Sequence, residues 1–386
     1  DKSISQFQSL CTALAATVGT GNIVGVSGAI LMGGPGAVFW MWVMAFLGMM
    51  TNYSENVLGI FYRRKNSKGE WSGGAMYYLR DGLGSKKGCR AIGFVLAGLF
   101  AFFCLVASFG IGNMTQVNAI SGNMLNVFGI PTWVTGVVIM ILVGLVVVGG
   151  LKRIAAVTEK IVPFMVILYM IGTITIFFLH IDQFAAVFKA IFKGAFGMQA
   201  AAGGVVGYGI KLAIEWGMKR GVFSNEAGLG SSVMVHSNSN VKEPVKQGMW
   251  GIFEVFADTI VVCTLTAFAI LSSGLIDLQT GRLADAFSGL TKNDLVATVF
   301  QQKFGVIGSG FIAVSIMLFA FSTVLGWSHY GSKACEYLLG EKWTIIYRVL
   351  FVISVFGGAV MGDNLAWDLA DTFNGLMMIP NLIGES

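Results

Sequence analysis

TALAATVGTGNIVGVSGAILMGGP, residues 12–35, is apolar enough to lie in a bilayer yet is interrupted by Gly19-Thr20-Gly21-Asn22. Glycine destabilises a helix interior by roughly 1 kcal/mol relative to alanine. Two of them around a threonine, followed by asparagine, mark an unwinding point. Inside lipid, unwound backbone is tolerated only where it faces protein or a water-filled cavity. Freed amides there hold anions and freed carbonyls hold cations. The stretch reads as a binding site in a broken membrane helix. The alternative is a glycine-rich face on which neighbouring helices pack closely. A dinucleotide loop is excluded, because the run is Gly-x-Gly-x-x-x-Gly and no strand precedes it.

The rest of the chain supports a membrane setting. Of its 386 residues, 55% are hydrophobic and only 12% charged, against about 25% charged in a soluble domain. That composition over the whole length indicates an all-α polytopic membrane protein, with the lipid bilayer as its surroundings. The net charge of +5 sits in loops that face a membrane surface, so it implies no nucleic-acid partner. Five cysteines (Cys11, Cys89, Cys104, Cys263, Cys335) show neither metal spacing nor an even count for a disulfide framework. Three scattered histidines form no zinc motif, and no nucleophile–base cluster appears, so the chain is not read as an enzyme and needs no resident cofactor. A channel filter and a Walker motif are also missing from the sequence. It opens without an initiator methionine and stops soon after its last span begins, which reads as most of a longer chain.

Spans need about 20 apolar residues, and ten are expected: 4–32 (broken), 36–62, 91–119, 132–150, 154–180, 198–216 (interrupted), 247–274, 304–330, 343–361 and 364–384. A first helix running outward from the cytoplasm puts 63–90, 151–160, 217–246 and 331–342 inside, with 17 lysines and arginines against five in the opposite loops. Ten spans divide into two sets of five, residues 1–180 and 181–386. Each set opens with a glycine-interrupted helix, at Gly19, Gly21 and Gly25 and at Gly203, Gly204, Gly207 and Gly209. An odd number per set makes the second an inverted copy of the first. Paired interruptions of this kind point to a transporter site at the membrane midplane.

Several residue groups suit such a site. Amides of Thr20 and Gly21, at the start of the outer half-helix, suit a carboxylate, and Asn22 offers a side-chain oxygen to a cation. Ser322 and Thr323 lie one turn after Phe319, so two hydroxyls and the Phe319 carbonyl share a face and present hard oxygen donors. Back-bonding of both hydroxyls to their own helix is the competing reading. Asp258, four residues after Glu254, falls about 16 Å into its span at 1.5 Å per residue. There it binds a cation with Thr259, carries a proton, or pairs with a buried base such as Lys211. Phe223 to Gly228 reads as a polar cytoplasmic loop, either an inner gate or simply ordered.

The residues also resemble a family. CTALAATVGTGNIVGV from Cys11, GGPGAVFWMWV (33–43), GNMTQVN (112–118), KRGVFSNEAGLGSS (219–232), FAFSTVLGWSHYG (319–331) and TFNGLMMIPNLI (372–383) are similar to the alanine/glycine:cation symporters. The resemblance covers nearly the whole chain. It implies the amino-acid–polyamine–organocation architecture shared with the bacterial leucine transporter, five plus five inverted helices with helices one and six discontinuous. It further implies backbone ligands for sodium at Ala15 and Val18 and a second sodium site at Ser322 and Thr323. Because the third helix lines the site in this fold, Gln116 is a substrate candidate, with Tyr208, Phe109 and Trp327 as candidate walls. The implied activity is import of alanine or glycine, driven by sodium or protons, across the plasma membrane of a bacterium or archaeon.

Overall fold

The computed structural model describes residues 3–197 and 206–386, except for the side chains of 206–208 and 363. The chain opens with helix α1 (Gln6–Thr17), whose first turn is closed by Ser5 and Gln8 bonding each other's backbone amides, each at 3.1 Å. It stops at Val18. A short 3₁₀ turn (Thr20–Asn22) follows, and helix α2 (Val24–Gly33) resumes the same span. The expected interruption of the first helix is therefore present in the structure at Gly19.

Helix α3 (Gly36–Phe61) returns across the membrane to a two-stranded hairpin, β1 (Arg64–Lys65) and β2 (Trp71–Ser72), and a short helix α4 (Ala75–Asp81). The third span is one rod made of α5 (Arg90–Phe109), a π-helical turn (Gly110–Met114) and α6 (Thr115–Phe128). Helices α7 (Thr132–Val147) and α8 (Gly150–Leu179) complete the first half, and α9 (Phe184–Ala195) leads into the second. Then come α10 (Val206–Asn225) and a four-residue helix α11 (Val233–His236). The next span again contains a π-helical segment, Phe256–Cys263, between α12 (Pro244–Val255) and α13 (Thr264–Ser272). A second hairpin, β3 (Ile276–Asp277) and β4 (Arg282–Leu283), precedes the long α14 (Leu295–Leu339), which bends at Gly305. Helices α15 (Thr344–Val360) and α16 (Asp363–Glu385) end the chain.

Five helical stretches (90–128, 150–179, 244–272, 295–339 and 341–360) are each long and apolar enough to cross a membrane. Their outer faces carry large exposed apolar side chains, such as Phe94, Ile171, Ile307 and Ile353, while Asn22, Asn52, Glu254 and Asp258 are wholly buried. Lipid is the solvent that makes both halves of this pattern stable, since it welcomes apolar surface and leaves backbone and polar groups to be satisfied inside.

The second interruption differs from the expectation. Gly203 and Gly204 lie outside the described residues, and Gly207 and Gly209 sit within α10. The described chain instead breaks after Asn225. Glu226 has φ of 58°, Gly228 of 87° and Gly230 of 72°, before α11 resumes a helical path. Residues 220–239, inside the expected 217–246 loop, are thus no surface loop. Helix α10 packs against α2 and α3, and Ser224, Asn225, Ser231, Ser232 and His236 are all buried.

Candidate functional site

Two oxygen-rich clusters flank the break at Gly19. The first joins the break to α10 and the π segment. Asn22 Nδ2 donates to Asp258 Oδ1 at 2.7 Å and to the Asp258 carbonyl at 3.1 Å. Asn22 Oδ1 accepts from the Gly19 amide at 2.9 Å, so one side chain ties both ends of the break together. Asp258 Oδ2 accepts from the hydroxyls of Ser224 and Thr259, both at 2.8 Å, and Asn225 Nδ2 donates to Thr259 Oγ1 at 3.1 Å. These side-chain partners of Asp258 are all neutral; Lys211 is not among them. The π segment is wider than an α turn, and from it Asp258 meets the break while Thr259 meets Asn225. A buried carboxylate ringed by neutral oxygens and amides is an arrangement a hard monovalent cation satisfies.

The second cluster lies between α1 and α14. Thr323 Oγ1 donates to the carbonyls of Ala15 at 2.9 Å and Phe319 at 3.0 Å. Ser322 Oγ lies 2.8 Å from the Phe319 carbonyl and 3.3 Å from that of Ala15. The two readings of these hydroxyls are therefore compatible, because each back-bonds within its helix and also reaches across to α1. Val18 is buried one residue before the break, with its amide on the Leu14 carbonyl at 2.8 Å. Gly19 makes the approach possible, since a Cβ there would lie 2.4 Å from Thr323 Oγ1 and 3.0 Å from Gln116 Oε1.

Between the clusters lie the groups expected to face an organic substrate. Gln116 Oε1 accepts from the Thr20 amide at 3.1 Å, while its Nε2 donates to the Ile111 carbonyl in the first π turn at 2.9 Å. Thr20 Oγ1 is buried with no partner among the described residues. Gly21 sits against α10, where a Cβ would be 3.1 Å from the Phe223 ring. Phe223 in turn stacks on Trp367 at 4.8 Å between centroids. Trp327 Nε1 donates to Glu226 Oε1 at 2.7 Å, and its side chain fills the space above Gly112. The Tyr208 side chain lies outside the described residues. Phe109 instead packs against Tyr347 and Phe351.

Phe223, Ser224, Asn225 and Glu226 were not expected here. Their signal is Gly228-Leu229-Gly230, which repeats the Gly-x-Gly of residues 19–21 just after a helix end.

Comparison with known proteins identifies the family and the fold. The sequence profile of the sodium:alanine symporter family matches residues 1–385. The sodium/alanine symporter AgcS of Methanococcus maripaludis is 44% identical, over 99% of this chain and 81% of that protein. The amino-acid carrier protein AlsT of Bacillus subtilis is 37% identical, over 99% of this chain and 77% of its own. Among solved structures, MhsT in complex with L-phenylalanine superposes with a TM-score of 0.63 at 14% identity, covering 99% of this chain and 89% of that one. That likeness identifies the leucine-transporter fold. A multi-pass membrane protein with this fold, this family profile and these relatives is a transporter rather than an enzyme, and the chain belongs to the sodium:alanine symporter family.

Proposed function

We propose that the chain imports alanine, and glycine as the smaller homologue, together with sodium across the plasma membrane of a bacterium or archaeon by alternating access. The observation that carries this reading is the convergence of two buried oxygen clusters on one unwound turn. Sodium is the cargo at both. Asn22, Ser224, Asp258 and Thr259 hold one ion, and the carbonyls of Ala15, Val18 and Phe319 with the hydroxyls of Ser322 and Thr323 hold the other. The amino acid places its carboxylate at Thr20 and Gly21, where the unpartnered Thr20 hydroxyl and the positive end of α2 favour an anion. Gln116 fixes that turn, and Phe223 and Trp327 limit the space to a small side chain. Tyr208 belongs to the same proposed wall. Residues 1–180 and 181–386 act as the two inverted halves that rock about this point.

With residue 1 on the cytoplasmic side, both doors are shut in this arrangement. Outside, Arg220 makes two 3.0 Å bonds to Asp371 and lies over the Trp367 ring at 4.7 Å, above Phe223. Inside, Ile4 and Ser239 form a parallel bridge, with the Ile4 amide on the Asn238 carbonyl at 3.1 Å. Arg63 braces the same segment by donating to the carbonyls of Ser237, Ser239 and Val241. Burial lowers the Arg63 guanidinium to about 10, so it stays charged at neutral pH and keeps all three bonds.

The test is uptake of labelled alanine into proteoliposomes with an inward sodium gradient against an equal potassium gradient. Equal rates would overturn sodium coupling. Carboxylate recognition at Thr20 and Gly21 also predicts that alanine and glycine compete for uptake, whereas alaninamide and ethylamine do not. Competition by ethylamine equal to that by alanine removes the substrate from this turn.

Thr323→Ala tests the second ion. It deletes one of a few oxygen ligands, a loss of about 1–3 kcal/mol, or a roughly 5- to 150-fold weaker response to sodium. Alanine binding at saturating sodium is expected to survive, since the substrate groups are intact. An unchanged sodium half-saturation refutes the two-hydroxyl site.

A further inference from the structure

We propose that His236 and Glu254 form a proton site on the inner half of the transport path, which exchanges with the cytoplasm when α1 swings away from α11. The proposal rests on the transporter reading above and adds a titrating pair that neither oxygen cluster contains. His236 ends α11 and Glu254 lies on α12, both fully buried. His236 Nε2 is 2.8 Å from Glu254 Oε2, which also accepts from Asn52 Nδ2 on α3 at 3.1 Å. Across the ring, Nδ1 is 2.6 Å from Gln247 Nε2. The same amide nitrogen lies 3.4 Å from Ser9 Oγ on α1, and that hydroxyl donates to the Val235 carbonyl at 3.2 Å.

The amide of Gln247 can face His236 in either of two orientations, and each matches one protonation state of the ring. With its nitrogen toward the ring, Nδ1 is bare and His236 is neutral, donating only through Nε2–H to Glu254. Gln247 Oε1 is then buried with no partner among the described residues. Carboxamide oxygen and nitrogen are nearly equal in size, so a half-turn of the amide fits the same space. Oε1 then faces Nδ1 and accepts from it once Nδ1 has taken a proton from water. The acceptor gains a partner while Gln247 Nε2 gives up its 3.4 Å bond to Ser9, and the ring becomes an imidazolium facing a carboxylate. With Glu254 as the counter-charge, uptake of one proton by the ring changes the pair from net negative to neutral. A neutral pair is cheaper to bury than a lone carboxylate, and the closed inner side therefore favours the protonated form.

Most charged and titratable groups around the pair are engaged elsewhere, the exception being the Tyr330 hydroxyl, which is buried with no partner among the described residues. Glu226 accepts from Trp327 and Ser231, and Asp258 belongs to the first oxygen cluster. Glu55 on α3 accepts from the Gly230 amide and Asn381. On α14, His329 lies 3.4 Å from Asn238, and Tyr330 packs edge-on to Trp327. Arg63 is spent on the carbonyls after α11. Opening of the inner side must lift Ser9 from Gln247 together with the Ile4–Ser239 bridge, which frees the amide to turn and admits water to Nδ1.

The experiment uses proteoliposomes of the full chain with exterior pH and the sodium gradient fixed. Sodium-driven alanine uptake is recorded first at one interior pH; its absence counts against the function above and not against the proton site. Interior pH is then stepped from about 6 to about 8, the range of imidazole titration. The wild-type rate is expected to fall several-fold as the interior becomes alkaline, because the deprotonated pair resists closure. His236→Gln keeps a donor to Glu254 but cannot titrate, and should lose this dependence while keeping its sodium and alanine half-saturation. Glu254→Gln removes the counter-charge and should shift the profile to lower pH; it serves alone if His236→Gln does not fold. A flat wild-type profile, a wild-type profile in His236→Gln, or an unshifted one in Glu254→Gln overturns the proposal.

Discussion

Asp258→Asn is expected to raise the sodium concentration that half-saturates alanine uptake by roughly 100- to 3,000-fold, the equivalent of about 3–5 kcal/mol for a buried ion deprived of its counter-charge. The size follows from the surroundings of the carboxylate. Asn22, Ser224 and Thr259 all donate to it, none is charged, and the side chain is fully buried. A sodium ion at this point would find its only formal negative charge in Asp258 among these partners. Without sodium the variant should be no less stable than the parent, since an isolated buried carboxylate is itself costly. Thermal unfolding therefore gives a second readout. Sodium should raise the melting temperature of the parent more than that of the variant, as expected when one ligand is lost. If Asp258 carries a coupling proton instead, sodium half-saturation stays put while pH-driven accumulation disappears and alanine exchange persists.

Gly19→Ala is expected to abolish transport without removing any ligand. The new methyl would stand 2.4 Å from Thr323 Oγ1 and 3.0 Å from Gln116 Oε1. Both neighbours are fixed, the first by the carbonyls of Ala15 and Phe319 and the second by the Thr20 amide and the Ile111 carbonyl. Overpacking of this kind costs about 1–3 kcal/mol in a rigid core, here through separating α1 from α14 at the second oxygen cluster. Uptake, sodium binding and alanine binding should fall together in a protein that still reaches the membrane. A Gly19→Ala variant with parental sodium affinity would mean that the break and α14 do not need this closeness. Adding Thr323→Gly should relieve the clash and restore alanine binding in part, though not the sodium response.

The first break was legible because its signal is dense. Two glycines, a threonine and an asparagine in four residues interrupt an otherwise apolar run, and the structure uses all four. The break after Asn225 was not legible because glycine alone is ambiguous. Gly207, Gly209, Gly217 and Gly221 all lie in α10, where the last two give α3 room to pack, with a Cβ at Gly217 only 2.4 Å from the Ala37 carbonyl. What ends the helix is Asn225-Glu226-Ala227-Gly228, whose polarity suggested an aqueous loop. Polarity in a membrane protein equally marks a buried site, and sequence does not separate the two without a partner strand of contacts. The same reading counts Lys219 and Arg220 with the inner loops. Restored to the side of Asp371 and Trp367, they leave fifteen lysines and arginines inside against seven outside, so the proposed orientation stands on a smaller margin. Glu254 and Asp258, four residues apart, diverge into separate networks because the π segment begins between them.

That π segment holds one residue more than the α turns it replaces. Excising a single residue from Phe256–Cys263 would restore a regular ladder and turn one half of the span against the other by about 100°. The far half is pinned, with Thr264 taking the Trp42 indole at 2.8 Å and Thr266 meeting Tyr169 at 2.6 Å. The half that swings would then be the one bearing Asp258, and its carboxylate would leave Asn22. Loss or gain of one codon here thus re-aims the proposed ion ligand in a single step, which no single substitution at Asp258 can do. Among descendants of a common ancestor, a length difference inside this span would be a better marker of changed cation preference than any exchange of side chains around it.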